Sequence, residues 1–406
     1  MKVLIVNTFY EGTSTGKIAT GMYNMLKKHG HECKFIYGVG KANSNPDFIK
    51  VDNNIDIKIS WFANQITGIH GAFAPFVMLR IKRILEDFKP DVIQLYNLHY
   101  YYLDIYMLFE LISKYNIPIV YGMLDEYPYL GYCCYAYDCD KFKNACRECN
   151  YQQFRKVYPR NLFRNGSERT IHLKEQAYNR CSKLVFTAPS WVAERAKQSY
   201  LLKGRDIRVV DEYVDNFNTF IPYNTDKLRD ELQIPKNNLV IIDVAPSDDP
   251  RKGVDYFISV ANMMRGLDIT FINVGFRGDV SKLPPNLIPI GFVKDQKLLA
   301  QYYSLADLFV CTSMADTMPN SCLDSLSCGT PIVGFDITGI PYVADEPIGT
   351  FVSPGNLEEL QKVICNTKKK DEFIINQCRE YALKRYSPDV YYNNVVKIYE
   401  EVVEER

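Results

Sequence analysis

The chain has 406 residues, 48 basic against 48 acidic side chains for a formal net charge of zero, and 47% hydrophobic residues. This is longer than one hydrophobic core sustains, so two α/β domains of about 200 residues each are expected. Balanced charge excludes a global electrostatic drive toward nucleic acid and leaves any anion site to local groups.

In chain order, the apolar start Met1-Lys2-Val3-Leu4-Ile5-Val6 is too short for a signal peptide, so a cytoplasmic protein is expected. Short β-branched runs at 3–7, 33–37, 92–96, 117–121 and 184–187 alternate with helix-period segments at 17–29, 81–88, 102–114 and 169–181, the pattern of a parallel sheet. The stretch 61–79 is broken by Asn64, Gln65, His70 and Pro75 and falls short of the ~20 apolar residues of a membrane span. A long irregular insertion, 123–160, interrupts the first half; loops of this length in α/β domains usually carry function. The polar stretch 211–224 reads as a linker. A second alternation follows, with strands near 239–244, 269–274, 308–311, 332–335 and 350–352. After Pro388 comes a last helix with the stripe Val395, Ile398, Val402 and Val403. The domains are set at 1–205 and 206–387, with the helix 388–406 crossing back.

Three segments carry candidate chemistry. Glu11-Gly12-Thr13-Ser14-Thr15-Gly16-Lys17 joins the first strand to the first helix, where backbone N–H groups favour a phosphate. It is not a nucleotide-hydrolase loop: three residues rather than four separate Gly12 from Gly16, and Ile18 stands where a hydroxyl would hold magnesium. Pro250-Arg251-Lys252-Gly253 puts two cations at a strand's carboxyl end, and Gly allows close approach to a diphosphate. Asp316-Thr317-Met318-Pro319-Asn320-Ser321-Cys322-Leu323-Asp324 sets two carboxylates beside a helix start, with Asn320 or Ser321 as its cap and Asp324 on its first turn. Acidic helix capping alone would account for that third segment.

The spacing Asp316-x7-Asp324, then Cys328-Gly329-Thr330-Pro331-Ile332-Val333 and Thr338-Gly339-Ile340-Pro341, resembles the donor site of retaining GT-B glycosyltransferases, the glycosyl transferases group 1 family. Lys252-Gly253, the N-terminal Gly loop, Thr187-Ala188-Pro189-Ser190-Trp191 and Tyr386-Ser387-Pro388 extend the resemblance over most of the chain. It implies two Rossmann-like domains facing across a cleft and a nucleoside diphosphate sugar as donor. Asp316 would hold sugar hydroxyls, Asp324 the ribose and Lys252, with Arg251, the diphosphate. Met318, Pro319 and the amides of Asn320 and Ser321 would line the donor, with Gly12 and Gly16 near the reacting centre. No catalytic metal is implied. The acceptor would be a saccharide or lipid-diphosphate-linked saccharide, in bacterial surface-polysaccharide assembly.

The chain departs from that family at several positions. Both acidic positions are Asp where the family has Glu, which shortens each reach by about 1.5 Å. Leu124-Asp125 stands where related members carry His-Asp, which keeps Asp125 as a candidate and removes the proton-handling His; His99, after the run 92–96, is the candidate replacement, against the structural role that a lone His more often has. Glu212-Tyr213 replaces an Asn-Gly. These departures keep an alternative open, a nucleotide-sugar-binding partner subunit with impaired turnover.

Seven of the twelve cysteines read as buried thiols. In the insertion, Cys133, Cys139, Cys146 and Cys149 include a CxxC pair and offer four ligands for a structural zinc, against reduced thiols or a redox pair. Asp138-Cys139-Asp140 lies inside that loop and is not read as a metal-binding DxD. Two surfaces bear on a membrane acceptor. Residues 151–208 hold thirteen Lys/Arg against four Asp/Glu, and Trp61, Phe62, Ile66, Phe73 and Phe76, followed by Arg80, Lys82 and Arg83, fit an interfacial helix at the inner face of the membrane. A solvated or core-facing helix fits each of these surfaces equally well.

Overall fold

The β-branched runs become strands buried on both faces: Val3, Leu4, Ile5 and Val6 are each at most 1% exposed. Such burial stabilises the fold by about 1.5–3 kcal/mol per side chain and requires helices on both sides of the sheet. The computed structural model describes residues 1–137, 139–149, 159, 161–214 and 217–404. Asp138 of the DxD reading, Asp215 and Asn216 of the linker, and 150–158 and 160 of the insertion and basic stretch lie outside the described residues.

By contact the chain forms two units, Met1–Val210 with Tyr392–Arg406, and Asp211–Tyr391. In the first, strands β1 (Lys2–Phe9), β2 (Glu32–Val39), β3 (Phe48–Lys50), β4 (Val92–Leu95), β5 (Ile119–Gly122), β6 (Leu184–Ala188) and β7 (Ile207–Val209) form one parallel sheet, in the order β3-β2-β1-β4-β5-β6-β7. Val3 sits between Cys33 and Val92 in register. In the second, β8 (Leu239–Val244), β9 (Ile269–Val274), β10 (Leu287–Ile290), β11 (Leu308–Cys311), β12 (Ile332–Phe335) and β13 (Gly349–Val352) are also parallel, in the order β10-β9-β8-β11-β12-β13. In each sheet the order reverses beside the first strand, so a crevice opens between the carboxyl ends of β1 and β4, and likewise of β8 and β11.

The stretch read as a linker is not merely solvated. Val214, Phe217 and Phe220 are buried in the second unit's core, and Arg385 anchors it through Asp211 at 2.7 Å. The stretch read as one interfacial helix is two, Asn54–Thr67 and Pro75–Phe88, because Gly68 closes the first in a left-handed turn and Pro75 opens the second. The last helix, Pro388–Glu404, buries Val395, Ile398 and Val402, and Val403 is half-buried. Within the first unit, Tyr392 stacks on His29 at 4.2 Å, and the Tyr399 hydroxyl donates to Gln94 at 2.8 Å. No helix among the described residues is long and apolar enough to cross a membrane.

Candidate functional site

In the second unit the site is built at the carboxyl ends of β8 and β11. Asp249 caps the turn Pro250–Lys252 by accepting from the Arg251 N–H at 3.0 Å. Gly253 follows with φ +64°, and a Cβ there would fall 2.0 Å from the Thr312 carbonyl oxygen. Only glycine lets this turn lie against the exit of β11. Lys252 is thereby aimed at the loop after β11, with Nζ 2.6 Å from Asp316 Oδ2; Arg251 Nη1 is 3.8 Å from the same oxygen. Arg251 also donates to the Ala315 carbonyl at 3.2 Å.

The segment Thr338-Gly339 fixes Asp316 from its other side. The Asp316 N–H donates to Thr338 Oγ1 at 3.1 Å, and its carbonyl accepts from the Gly339 N–H at 2.9 Å. A Cβ on Gly339 would lie 1.7 Å from the Thr317 oxygen, so this position too requires glycine. Burial alone would drain the proton from Lys252; the adjacent Asp316 carboxylate outweighs it and holds the ammonium above its ordinary value.

The helix Asn320–Ser327 differs from the sequence reading. Its N-cap is Pro319, no side chain caps it, and neither Asn320 nor Ser321 takes that role. Asp324 is therefore the helix's fifth residue, on the second turn, half-buried. Proline's fixed φ suits the capping position, which moves the helix start one residue earlier. Met318 is a core residue, 4% exposed, and its sulfur accepts the Glu212 N–H at 3.3 Å. Glu212, noted in the sequence only as a departure, is buried near Asp316. Burial first, then the Asp316 and Asp211 charges, push its carboxyl well above the usual range.

The first unit gathers a separate polar group at the ends of β1, β4 and β5. The Asn97 N–H donates to Asn7 Oδ1 at 3.0 Å, and Thr8 Oγ1 donates to the carbonyls of Asn97 and His99, both at 2.8 Å. These bonds set His99 Nε2 3.0 Å from Asp125 Oδ2, while Asp125 Oδ1 accepts the Tyr127 N–H at 2.9 Å. His99 and Asp125, which lie 26 residues apart in sequence, thus form one pair. Cys134 joins them, the three ligand atoms lying within 4.8 Å of one another. Nitrogen, oxygen and sulfur donors in that array suit a divalent metal in kind.

Gly12, in the loop after β1, is exposed with φ +77°. Gly16 is buried on the first helix turn, and its N–H is taken by Thr13 Oγ1 at 3.0 Å. The sequence reading passed over Lys174, which is fully buried and donates to the carbonyls of Tyr127 at 2.6 Å and Leu130 at 2.8 Å. It also lies 3.6 Å from the centre of the Tyr127 ring. Burial draws its ammonium down to about 7. The signal was its place on the buried stripe Thr170, Ile171, Lys174, Ala177, Tyr178.

Comparison with known proteins adds a family match over part of the chain and the fold. Residues 239–368 match the family described as Glycosyl transferases group 1. The alpha-galactosylglucosyldiacylglycerol synthase of Streptococcus pneumoniae is 24% identical over 202 residues, 46% of this chain and 52% of that protein, so the match spans about half the relative's length. Sucrose-phosphate synthase from Thermosynechococcus elongatus superposes with a TM-score of 0.70 at 13% identity, covering 100% of both chains. Anabaena HepE in complex with UDP and glucose gives 0.60 at 15% identity, covering 98% of this chain and 99% of that one. Lys252 and Asp316 both fall inside the matched segment, so the second unit carries the Glycosyl transferases group 1 match in a chain with the two parallel sheets of the GT-B glycosyltransferase fold.

Proposed function

We propose that this chain is a glycosyltransferase that moves a sugar from a nucleoside diphosphate donor, with retained anomeric configuration, to a hydroxyl of a saccharide or lipid-linked saccharide. The observation that carries this reading is the Lys252–Asp316 pair at the crevice of the second sheet, where ligands of open parallel sheets bind. A cation held at a fixed point, with a second from Arg251, stabilises a departing diphosphate without reorganisation. The carboxylate beside it accepts hydrogen bonds from sugar hydroxyls. Asp324 serves the ribose, and the helix start at Asn320 supplies backbone donors to the diphosphate. In the first unit, the His99–Asp125 pair handles the acceptor's proton. HepE's complex with UDP and glucose favours starting a donor search with UDP sugars.

A membrane-borne acceptor in surface-polysaccharide assembly, met at the inner face of the membrane, fits one further feature. The helix Asn54–Thr67 buries its polar residues Asp56, Ser60, Asn64 and Gln65 and exposes Ile55, Ile59, Trp61, Phe62 and Ile66. Phe73, Phe76 and Leu79 continue the exposed apolar surface, and Arg80, Lys82 and Arg83 are exposed beside it. An apolar face with a cationic border matches an anionic lipid surface.

The test is a screen of nucleoside diphosphate sugars against saccharide and polyprenyl-diphosphate-linked acceptors, with product and its anomeric configuration read by NMR. Retained-configuration product supports the reading. Binding of donors without transfer or hydrolysis across the screen would replace it with the impaired partner subunit.

A further inference from the structure

The insertion after β5 folds back on its own first residues. The Glu126 N–H donates to the Cys134 carbonyl at 3.0 Å, and Glu126 Oε2 accepts the Ala136 N–H at 2.7 Å. Glu126 is held in turn by Arg195, whose Nε lies 2.8 Å from Oε1. This closure sets Cys134 beside Asp125 and adds a sulfur to the His99–Asp125 pair, with the three donor atoms all within 4.8 Å of one another. Cys133, Cys139, Cys146 and Cys149, the thiols singled out in the sequence, belong to the same insertion, Cys146 buried and the other three half-buried. The metal-donor group assembled among the described residues is His99, Asp125 and Cys134.

Tyr127 orients two of these three side chains. Its N–H donates to Asp125 Oδ1 at 2.9 Å, which leaves Oδ2 toward His99, and its ring meets the His99 ring edge-on at 5.4 Å. Groups that fix the ligands in this way decide the affinity of a metal site. Asp125 and Cys134 are 5% and 7% exposed, so little water competes for a cation there, and half-buried His99 gives access from solvent. A tetrahedral ion with bonds of about 2.0–2.3 Å places its ligand atoms roughly 3.3–3.6 Å apart. His99 Nε2 and Asp125 Oδ2, at 3.0 Å, need open only by a few tenths of an ångström, and the sulfur closes by roughly 1.2 Å at most. Lys174, committed to the carbonyls of Tyr127 and Leu130, stands in the field of Asp125 and Cys134 and opposes a cation, so the site needs both anionic ligands.

We propose that His99, Asp125 and Cys134 bind one zinc-type divalent cation, and that the bound ion stops the His99–Asp125 pair from handling a proton. Cys134 releases one proton to solvent, and bonds from nitrogen, oxygen and sulfur form with no change in oxidation state. A carboxylate and a thiolate balance the two charges of the ion, and three protein ligands leave one tetrahedral position open. A ring nitrogen bonded to metal has no lone pair for the acceptor's proton. The binding rests on this geometry alone; the block on transfer rests on the glycosyltransferase reading.

The experiment uses the full chain, reduced and purified without chelators. The first equivalent of cobalt should give a sulfur-to-metal charge-transfer band that Cys134→Ser and His99→Ala lose and Cys139→Ser keeps. The wild-type band in a folded Cys134→Ser or His99→Ala, a band lost only in Cys139→Ser, or no band in wild type would each overturn the site. If Cys134→Ser fails to fold, His99→Ala carries the same test. For the block, each protein's transfer rate with one equivalent of zinc is divided by its rate without. Wild type should fall by about 100-fold, as for loss of a general base, and recover on adding EDTA, while Cys134→Ser should change by less than about twofold. Wild-type transfer unaffected by bound zinc would overturn the block. Absence of transfer in metal-free wild type would count against the glycosyltransferase reading, and the cobalt spectra would still decide the site.

Discussion

Lys252 and Asp316, 64 residues apart in sequence, meet at 2.6 Å because two glycines, Gly253 and Gly339, let their loops pass against neighbouring carbonyls. The ammonium is therefore committed in place, and a diphosphate that binds there must share it with the carboxylate. Lys252→Ala should lower kcat/KM for the donor by roughly 100-fold, the size of effect seen when a fixed electrostatic donor is removed. Lys252→Arg should recover part of that loss. Steady-state kinetics with the best donor of the screen provide the check, and a kcat/KM unchanged by Lys252→Ala would remove this residue from the phosphate role.

The His99–Asp125 pair should behave as one unit. His99→Ala and Asp125→Asn are each expected to reduce kcat by about 100-fold, within the range of general acid–base contributions. The double variant should be little worse than either single one, since the two side chains act through a single hydrogen bond. Multiplying losses in the double variant would show that the residues act separately.

Lys174 supplies a pH signature in stability. Its folded-state value lies near 7 and its ordinary value is 10.5, with burial the cause. Between those values the unfolded chain holds a proton that the folded chain has released, so this group makes stability rise with pH across that window and level off below it. Lys174→Met removes the contribution. Urea unfolding of wild type and variant at pH 7 and pH 9 should therefore show wild type gaining on the variant as pH rises, by up to about 1.4 kcal/mol per pH unit. Parallel pH profiles would show that the lysine does not titrate in this window.

The inverted helix Asn54–Thr67 makes a prediction about lipid. Trp61→Ser with Phe62→Ser should abolish co-sedimentation with vesicles containing anionic phospholipid. Fold stability should change by less than about 0.5 kcal/mol, because both rings are exposed. Binding to neutral vesicles should be weaker at the outset and less sensitive to salt. Equal pelleting of wild type and variant would show that this face serves another purpose.

The sequence by itself determined much of this architecture. Runs such as Val3-Leu4-Ile5-Val6 have no polar alternation and must be buried on both faces, which demands a parallel sheet with flanking helices. Lys252-Gly253 and Asp316 were visible as candidates, charged groups at the ends of predicted strands, but helix capping accounted for Asp316 equally well until the structure set it 2.6 Å from Lys252. Short strands such as β3, β7 and β10 were not legible, because three or four residues at or near a sheet edge leave almost no periodic signal.

Tertiary structure alone decided the rest. Strand order, not spacing, brought His99 to Asp125, through loops after β4 and β5 that no local pattern couples. Burial of Lys174 depended on two carbonyls 44 and 47 residues away that satisfy its ammonium. The apolar residues of Asn54–Thr67 would ordinarily face inward, and only the partners found by its polar face turned them out: Asp56 accepts the Val77 N–H at 2.7 Å, and Asn64 accepts from the Tyr132 hydroxyl at 2.8 Å. Local sequence sets which residues seek burial or charge, but their partners are distant in the chain and are fixed only when the sheet order closes.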